Sequence, residues 1–562
     1  MSGEESVDEP VDVLLIGLGA CGAVAAHVLT AAGLHVTALE AGPRRDPGQM
    51  RSDEIHNDID GWLSWPKAID EVPTLRMDEC ADASPTWWPT LMVNAVGGTA
   101  IHYPGASFRL SPWNFRSRSA TIQRYGETAI PEDSTLADWP LDYDELEPYY
   151  ERVEHAIGVS GADELAPFAG RRARGYPMPP LQRSGWNELT DAAARRLGWQ
   201  PYPTPAALNS REYQDRPACT YCGHCSGNGC YRRAKGSPDV HLIPAAEATG
   251  RLRIVTGARA TSIEVDPAHS SRISGVRYRH EGRERFAPAL VVLLAAFTYE
   301  NSRLLLLSRS ARFPDGIGNH HGQVGAHFVP HVTPSMYGLF PGQRLNLHTG
   351  TWAQGTVVDD WNGDNFDHTG LGFLGGGALI AANEVRPIAA SGQTPPDVPR
   401  WGSSWKAWLA QHAQSVGSAV AQFESLTYDG NRLDLDPVAR DASGMPRVRI
   451  TYRPRENERR GVAFLRTKLE TWLRAAGATE TWPNEAVHIE GRHVYGGTRM
   501  GEDPRDSVLD RFGFAHAAPN LGVLGGSTFV TSGGHNPTLT AQALAWRTAD
   551  ELVRRWSALA IH

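Results

Sequence analysis

The chain has 562 residues, 41% of them hydrophobic and 21% charged, which is enough for two hydrophobic cores and too much for one ordinary core. Its 63 acidic and 54 basic residues leave a formal net charge of −9, a balance that argues against nucleic acid or an anionic membrane surface as a partner. The 57 glycines and 39 prolines are spread through the chain without a low-complexity run, so they indicate many turns rather than disorder.

A short acidic leader (Glu4, Glu5, Asp8, Glu9, Asp12) reads as a solvated tail. Residues 11–16 then form an apolar run of the kind that fills the centre of a parallel sheet. The run has no basic flank and passes straight into glycine, so it is a buried strand and not a signal peptide. No other segment reaches the length of a membrane span. Cytoplasmic location without direct membrane insertion is the expectation, unless a partner subunit carries an export signal.

Next come Gly17-Leu18-Gly19-Ala20-Cys21-Gly22, a small-residue helix over 23–32, a stop at Gly33, and a strand over 35–39 that ends in Glu40. The glycines have separate tasks: Gly17 makes the tight turn, Gly19 lets the backbone approach a pyrophosphate, and Gly22 lets helix and strand pack closely. The helix start faces the phosphates, and Glu40 is placed to accept hydrogen bonds from ribose hydroxyls. By itself this unit serves NAD or FAD equally well.

Further along, 145–157 is expected to be helical with Asp142 or Asp144 as its cap, and the Pro- and Arg-rich stretch 166–205 reads as surface connection. Strands are expected over 252–256, 260–265, 275–278 and 290–295, followed by a helix over 300–307. Residues 312–425 carry little helical period and suggest sheet with long loops, and the last helices span 456–475 and 540–556. There is no internal repeat.

Four of the six cysteines, Cys219, Cys222, Cys225 and Cys230, fall within twelve residues. Their C-x₂-C-x₂-C-x₄-C spacing is close to, but differs from, the run that holds iron–sulfur clusters. Thiolates gathered this way could hold such a cluster or a zinc ion. Reduced thiols in a loop, or a disulfide, fit the same residues.

The chemistry is concentrated near the C-terminus, in His493-Val494-Tyr495-Gly496-Gly497-Thr498-Arg499-Met500-Gly501 and Ser532-Gly533-Gly534-His535-Asn536-Pro537-Thr538-Leu539-Thr540. Removing hydride from an alcohol also requires a base for the hydroxyl proton, and histidine is the usual choice near neutral pH. Asn536 could fix the alcohol and stabilise charge developing on its oxygen. Taken singly, His493 also fits a satisfied core histidine, and Asn536-Pro537-Thr538 an N-cap of the following helix.

Together with Asn94-Ala95-Val96-Gly97-Gly98-Thr99, these passages make the chain resemble the glucose-methanol-choline (GMC) oxidoreductases, FAD enzymes that oxidise alcohols. The likeness extends over nearly the whole length and is weakest in the middle. It implies that His493 is the catalytic histidine and Asn536 its partner, with His535 only adjacent. It also implies flavin contacts at Asn94, Gly97, Gly98, Thr99, His102, Ser527, Asn536, Pro537 and Thr538. At Ser527 the segment Gly525-Gly526-Ser527 lacks the acidic residue that often precedes Gly-Ser in this family.

Within the family, Asp138-Trp139-Pro140-Leu141, Ala295-Ala296-Phe297-Thr298-Tyr299-Glu300-Asn301 and Gly97-Gly98-Thr99-Ala100-Ile101-His102-Tyr103 look most like the gluconate- and sugar-dehydrogenase branch. Pyranose oxidases and glycoside oxidases stand close by. In pyranose oxidases the histidine at the position of His102 is joined covalently to the flavin, whereas other relatives bind FAD noncovalently. Membrane-linked sugar dehydrogenases of this type carry an iron–sulfur cluster in the flavin subunit.

The resulting expectation is an α/β protein. A Rossmann-like FAD domain is assembled from residues 1–120, 219–310 and 490–562, and a substrate domain on a mostly antiparallel sheet from 121–218 and 311–489. The expected reaction oxidises a secondary alcohol of a sugar or glycoside to a ketone, with hydride passing to flavin N5 and reoxidation by O₂, a quinone or an electron-accepting protein. One alternative is the flavin subunit of a sugar or gluconate dehydrogenase that passes electrons through an iron–sulfur cluster. Another is a noncatalytic subunit that keeps the flavoprotein fold.

Overall fold

The computed structural model describes residues 10–56, 73–85, 92–484 and 488–560. Glu4, Glu5, Asp8 and Glu9 of the acidic leader lie outside them. At the start, β1 (Val11–Ile16), α1 (Ala20–Ala31) and β2 (Val36–Glu40) form the β-α-β unit anticipated from the glycine spacing. The two strands pair in parallel, Val13 with Val36 through Ile16 with Leu39. Every residue of β2 is buried, because a parallel sheet covered on both faces has no wet side on which polar residues could alternate.

On the far side of β1 runs the strand Arg283–Leu294, also parallel, and beyond it Ala518–Val523. Leu252–Thr256 extends the sheet on the side of β2. Distant parts of the chain therefore build one sheet, and α1 packs between it and the C-terminal helix Thr538–Ala560. The strand Arg283–Leu294 is longer than the apolar run at 290–295 indicates. Its first half is largely exposed and forms an antiparallel ribbon with Ile273–His280, and only its second half enters the buried centre.

A second sheet follows the order Glu480–Pro483, Ser335–Leu339, Val416–Phe423, Gly377–Ala381, Thr356–Val358, Pro201–Pro203, with Val329–Thr333 and His488–Tyr495 joined at its side. All of its pairings are antiparallel. Its back is covered by the helix Glu456–Ala475 around a core that includes Trp186, Phe423, Leu465, Leu469 and Trp472. At Gly461 the ring of Phe423 occupies the space a side chain would need, with ring carbon Cε2 2.0 Å from the position of a Cβ.

Among the helices that depart from expectation, two are the longest. Gly185–Arg196 lies inside the stretch read as surface connection. Ser184 and Asn187 cap it reciprocally: Ser184 Oγ accepts from Asn187 N at 3.3 Å, and Asn187 Oδ1 accepts from Ser184 N at 3.0 Å. Trp186, Ala193 and Ala194 anchor it in the second core. Gly402–His412 lies in the region expected to be sheet and loop, and none of its residues is buried.

Candidate active site

Where Val329–Thr333 meets His488–Tyr495, the register breaks: Pro330 opposes Val494, but His331 opposes Glu490. Residues 491–493 are therefore unpaired in this ladder and bulge out of it, at a point where Pro330 has no N–H to offer. The bulge carries His493 into a cavity of about 1060 Å³, whose wall also includes Asn536, Pro537 and Thr538.

His493 Nε2 lies 3.3 Å from Asn536 Nδ2, and His493 Nδ1 lies 3.2 Å from His331 Nδ1. The amide oxygen of Asn536 is buried and has no hydrogen-bond partner among the described residues, so it is not engaged in capping the helix that follows. His535, one residue earlier, is directed elsewhere. Its ring stacks on Phe108 at 4.8 Å between centroids, and its Nε2 is 3.0 Å from Asp359 Oδ1. Burial raises the pKa of Asp359, but His535, Tyr202 and Asn362 outweigh it and hold the carboxylate below its ordinary range.

The same cavity continues to the glycine-rich turn, where Gly17, Gly19, Glu40, Asn94, Gly98 and Thr99 form its wall. Gly17 has φ +87°, and a Cβ there would sit 2.7 Å from the carbonyl oxygen of Ala295. A Cβ on Gly98 would come within 2.8 Å of Gly19 Cα. Two side-chain-free backbones thus face each other directly before α1, which begins behind Gly19 with no acidic residue in its first turn and no side-chain cap. This cradle suits the pyrophosphate of a dinucleotide. Glu40 accepts from Leu18 N at 3.0 Å and Gly42 N at 2.9 Å, and a carboxylate with these two bonds retains lone pairs for ribose hydroxyls.

His102, 5% exposed, stands on the cavity wall beside Thr99. Gly22, Gly97 and Ser527 are not part of that wall. Gly22 packs where a Cβ would meet the oxygen of Gly17 at 2.3 Å, Gly97 makes a turn with φ +103°, and Ser527 Oγ accepts from Asn301 Nδ2 at 2.9 Å. They shape the site from behind. Sequence reasoning missed His331, which is wholly buried and lies in a stretch with no local motif. It also missed Trp352, Asn383 and Gln422, which line the far end of the cavity.

The cysteine loop is held by its backbone. Glu384 accepts from Cys225 N and Ser226 N at 2.7 Å each and from Trp352 N at 2.9 Å. The ammonium of Lys235, itself 0% exposed, donates to the carbonyl oxygens of Tyr103, Cys225 and Asn228 at 2.9, 3.2 and 2.7 Å. Burial pushes the Cys219 thiol up to about 11 and Cys225 well above the usual thiol range. Among the described residues no group of three or more His, Cys, Asp or Glu converges as a metal ligand set. The donor set expected for iron–sulfur or zinc at Cys219, Cys222, Cys225 and Cys230 is therefore not assembled in this conformation. No described helix is long and apolar enough to cross a membrane.

Two family models, both described as GMC oxidoreductase, match residues 131–333 and 427–545. The chain is 32% identical to the gluconate 2-dehydrogenase flavoprotein of Pantoea cypripedii, over 98% of this chain and 93% of that protein. It is 30% identical to the 6'''-hydroxyparomomycin C oxidase of Streptomyces lividus, over 97% and 91%. The crystal structure of pyridoxine 4-oxidase from Mesorbium loti superposes with a TM-score of 0.59 at 16% identity, covering 96% of this chain and 99% of the other.

Proposed function

Because the chain belongs to the GMC oxidoreductase family, enzymes that bind FAD and act on CH–OH groups, we propose that it oxidises a secondary hydroxyl of a sugar or sugar glycoside to a ketone. The observation that carries this reading is the 3.3 Å approach of His493 Nε2 and Asn536 Nδ2 on the wall of the cavity that also contains the glycine cradle. FAD, when bound, supplies the hydride acceptor, its N5 atom taking the hydrogen and its electron pair from the alcohol carbon.

His493 Nε2 takes the hydroxyl proton as the carbon–oxygen double bond forms. Asn536 Nδ2 donates a hydrogen bond to the substrate oxygen and stabilises the negative charge that builds there. The glycine turn and the start of α1 hold the pyrophosphate, and Glu40 holds the ribose. His102, Thr99 and Asn94, on the same cavity wall, would stand beside the flavin. The parallel sheet would serve the cofactor and the antiparallel sheet the substrate, following the division at residues 120, 218, 310 and 489 except that the strand His488–Tyr495, which carries His493, crosses the last boundary.

Three features support a sugar over a simple alcohol. The indole of Trp352 offers an apolar face, Gln422 has a buried amide oxygen with no partner among the described residues, and the relatives named above act in gluconate and aminoglycoside-type oxidation by their names. The likeness to the gluconate 2-dehydrogenase flavoprotein favours a second reading of the reoxidation step, in which a protein or quinone replaces O₂. Peroxide yield against dye reduction separates the two, and stoichiometric iron with acid-labile sulfide would restore the cluster as an electron exit.

His493→Ala is expected to lower the anaerobic rate of flavin bleaching by a sugar substrate by about 10²- to 10⁴-fold. An unchanged rate would remove His493 as the base.

A further inference from the structure

We propose that His331 is a positioning residue that fixes which nitrogen of His493 bears hydrogen, and so keeps Nε2 bare for the hydroxyl proton. The inference rests on the assignment of His493 as base.

His331 Nε2 is 2.7 Å from the carbonyl oxygen of Gly533. A carbonyl oxygen only accepts, so the hydrogen of the neutral His331 ring is on Nε2, and its Nδ1 is left as an acceptor. That Nδ1 is 3.2 Å from His493 Nδ1, which must then be the donor. The hydrogen of His493 is thereby drawn to Nδ1, and the lone pair is left on Nε2. A second contact gives the same polarity from the other side: the neighbour of His493 Nε2 is Asn536 Nδ2 at 3.3 Å, and an amide nitrogen only donates.

The arrangement survives the proton transfer. When His493 Nε2 receives the hydroxyl proton, Nδ1–H continues to donate to His331, so on that side the imidazolium forms without rearrangement, while the Asn536 Nδ2–H that faced Nε2 is released to the substrate oxygen. The Tyr495 hydroxyl lies 3.1 Å from Nε2 and 3.4 Å from Nδ1 of His331, the longer contact standing beside the shorter 3.2 Å approach of His493 Nδ1, and the His331 ring crosses the His493 ring at 86° with centroids 5.2 Å apart. Gly533 stands three residues before Asn536, so one imidazole touches both the strand that carries the base and the loop that carries its partner. Besides the tautomer, it sets their separation.

The test is ¹⁵N NMR of histidine-labelled holoenzyme, with the His493 signals identified by their loss in His493→Gln. Wild type is expected to show hydrogen on Nδ1 and none on Nε2 of His493. In His331→Leu, which offers no acceptor, this preference should vanish and anaerobic flavin reduction should fall by about 10²-fold with KM little changed. In His331→Gln the amide oxygen can accept from Nδ1–H while the amide nitrogen donates to Gly533, and both tautomer and rate should largely return. An unaltered tautomer in His331→Leu would overturn the proposal while the base assignment stands, whereas hydrogen on Nε2 in wild type would overturn both. Full flavin reduction by His493→Gln would overturn both. The wild-type spectrum decides even if a variant does not fold.

Discussion

Glu424 is a carboxyl group placed where water does not reach, at 2% exposure. Burial pushes it from its ordinary 4.5 up to about 8, against the hydrogen bonds it receives from Asn114 Nδ2 and the Gly533 backbone. In the unfolded chain the same group ionises near 4.5, so between the two values the folded state holds a proton that the unfolded state has released. Its contribution to stability is complete below about pH 4.5 and is lost as pH rises towards 8. Glu424→Gln is expected to leave the melting temperature at pH 5 nearly unchanged and to raise it at pH 8, as measured by calorimetry across that range. The affected segment is the one that carries Asn536. At this scale the resemblance singled out His493 and Asn536 as a pair, and the structure brings them to 3.3 Å of one another. His331 was not: its contacts lie 162 and 202 residues away, and no local pattern marks a histidine whose role depends on such distant groups.

Among the elements, β1, α1 and β2 were legible because every signal agreed: continuous apolar strands, small residues in the helix, glycines at the turn and an acid at the end. Gly98 shows what the cradle demands of its backbone. With φ +57° and only 2.8 Å between the place a Cβ would take and Gly19 Cα, an alanine there suffers both conformational strain and a backbone clash. Gly98→Ala is expected to purify with much less flavin, read from the visible absorbance per chain, whereas Gly33→Ala, where a Cβ meets nothing within 4 Å, should keep its flavin despite the strain of its positive φ. The helix Gly185–Arg196 was hidden for the opposite reason. The prolines and arginines on either side dominated the reading, although Ser184 and Asn187 carried a start signal and Trp186 an anchor. The outer half of Arg283–Leu294 was missed because a ribbon exposed on one face, with only Ala287 buried in that half, does not carry the apolar run of a strand buried on both.

Across the described residues, strands that lie far apart in sequence close into three sheets, and one cavity touches the two largest. The glycine turn follows β1 in the parallel sheet, while His493 lies in a strand of the antiparallel one. A ligand that fills this cavity binds the folded arrangement and not the unfolded chain, so it stabilises by mass action. FAD at about one hundred times its dissociation constant should add about 2.7 kcal/mol, seen as a melting temperature that climbs with FAD concentration in protein stripped of flavin. A temperature independent of FAD would mean that the folded chain does not bind the dinucleotide. The ammonium of Lys235, ringed by three carbonyl oxygens, fills the place that a potassium ion takes in other loops, but on a covalent leash. It cannot be chelated, exchanged for sodium or lost on dilution. The cysteine segment it gathers should therefore keep its shape in buffers stripped of salt, where an ion-dependent loop would open.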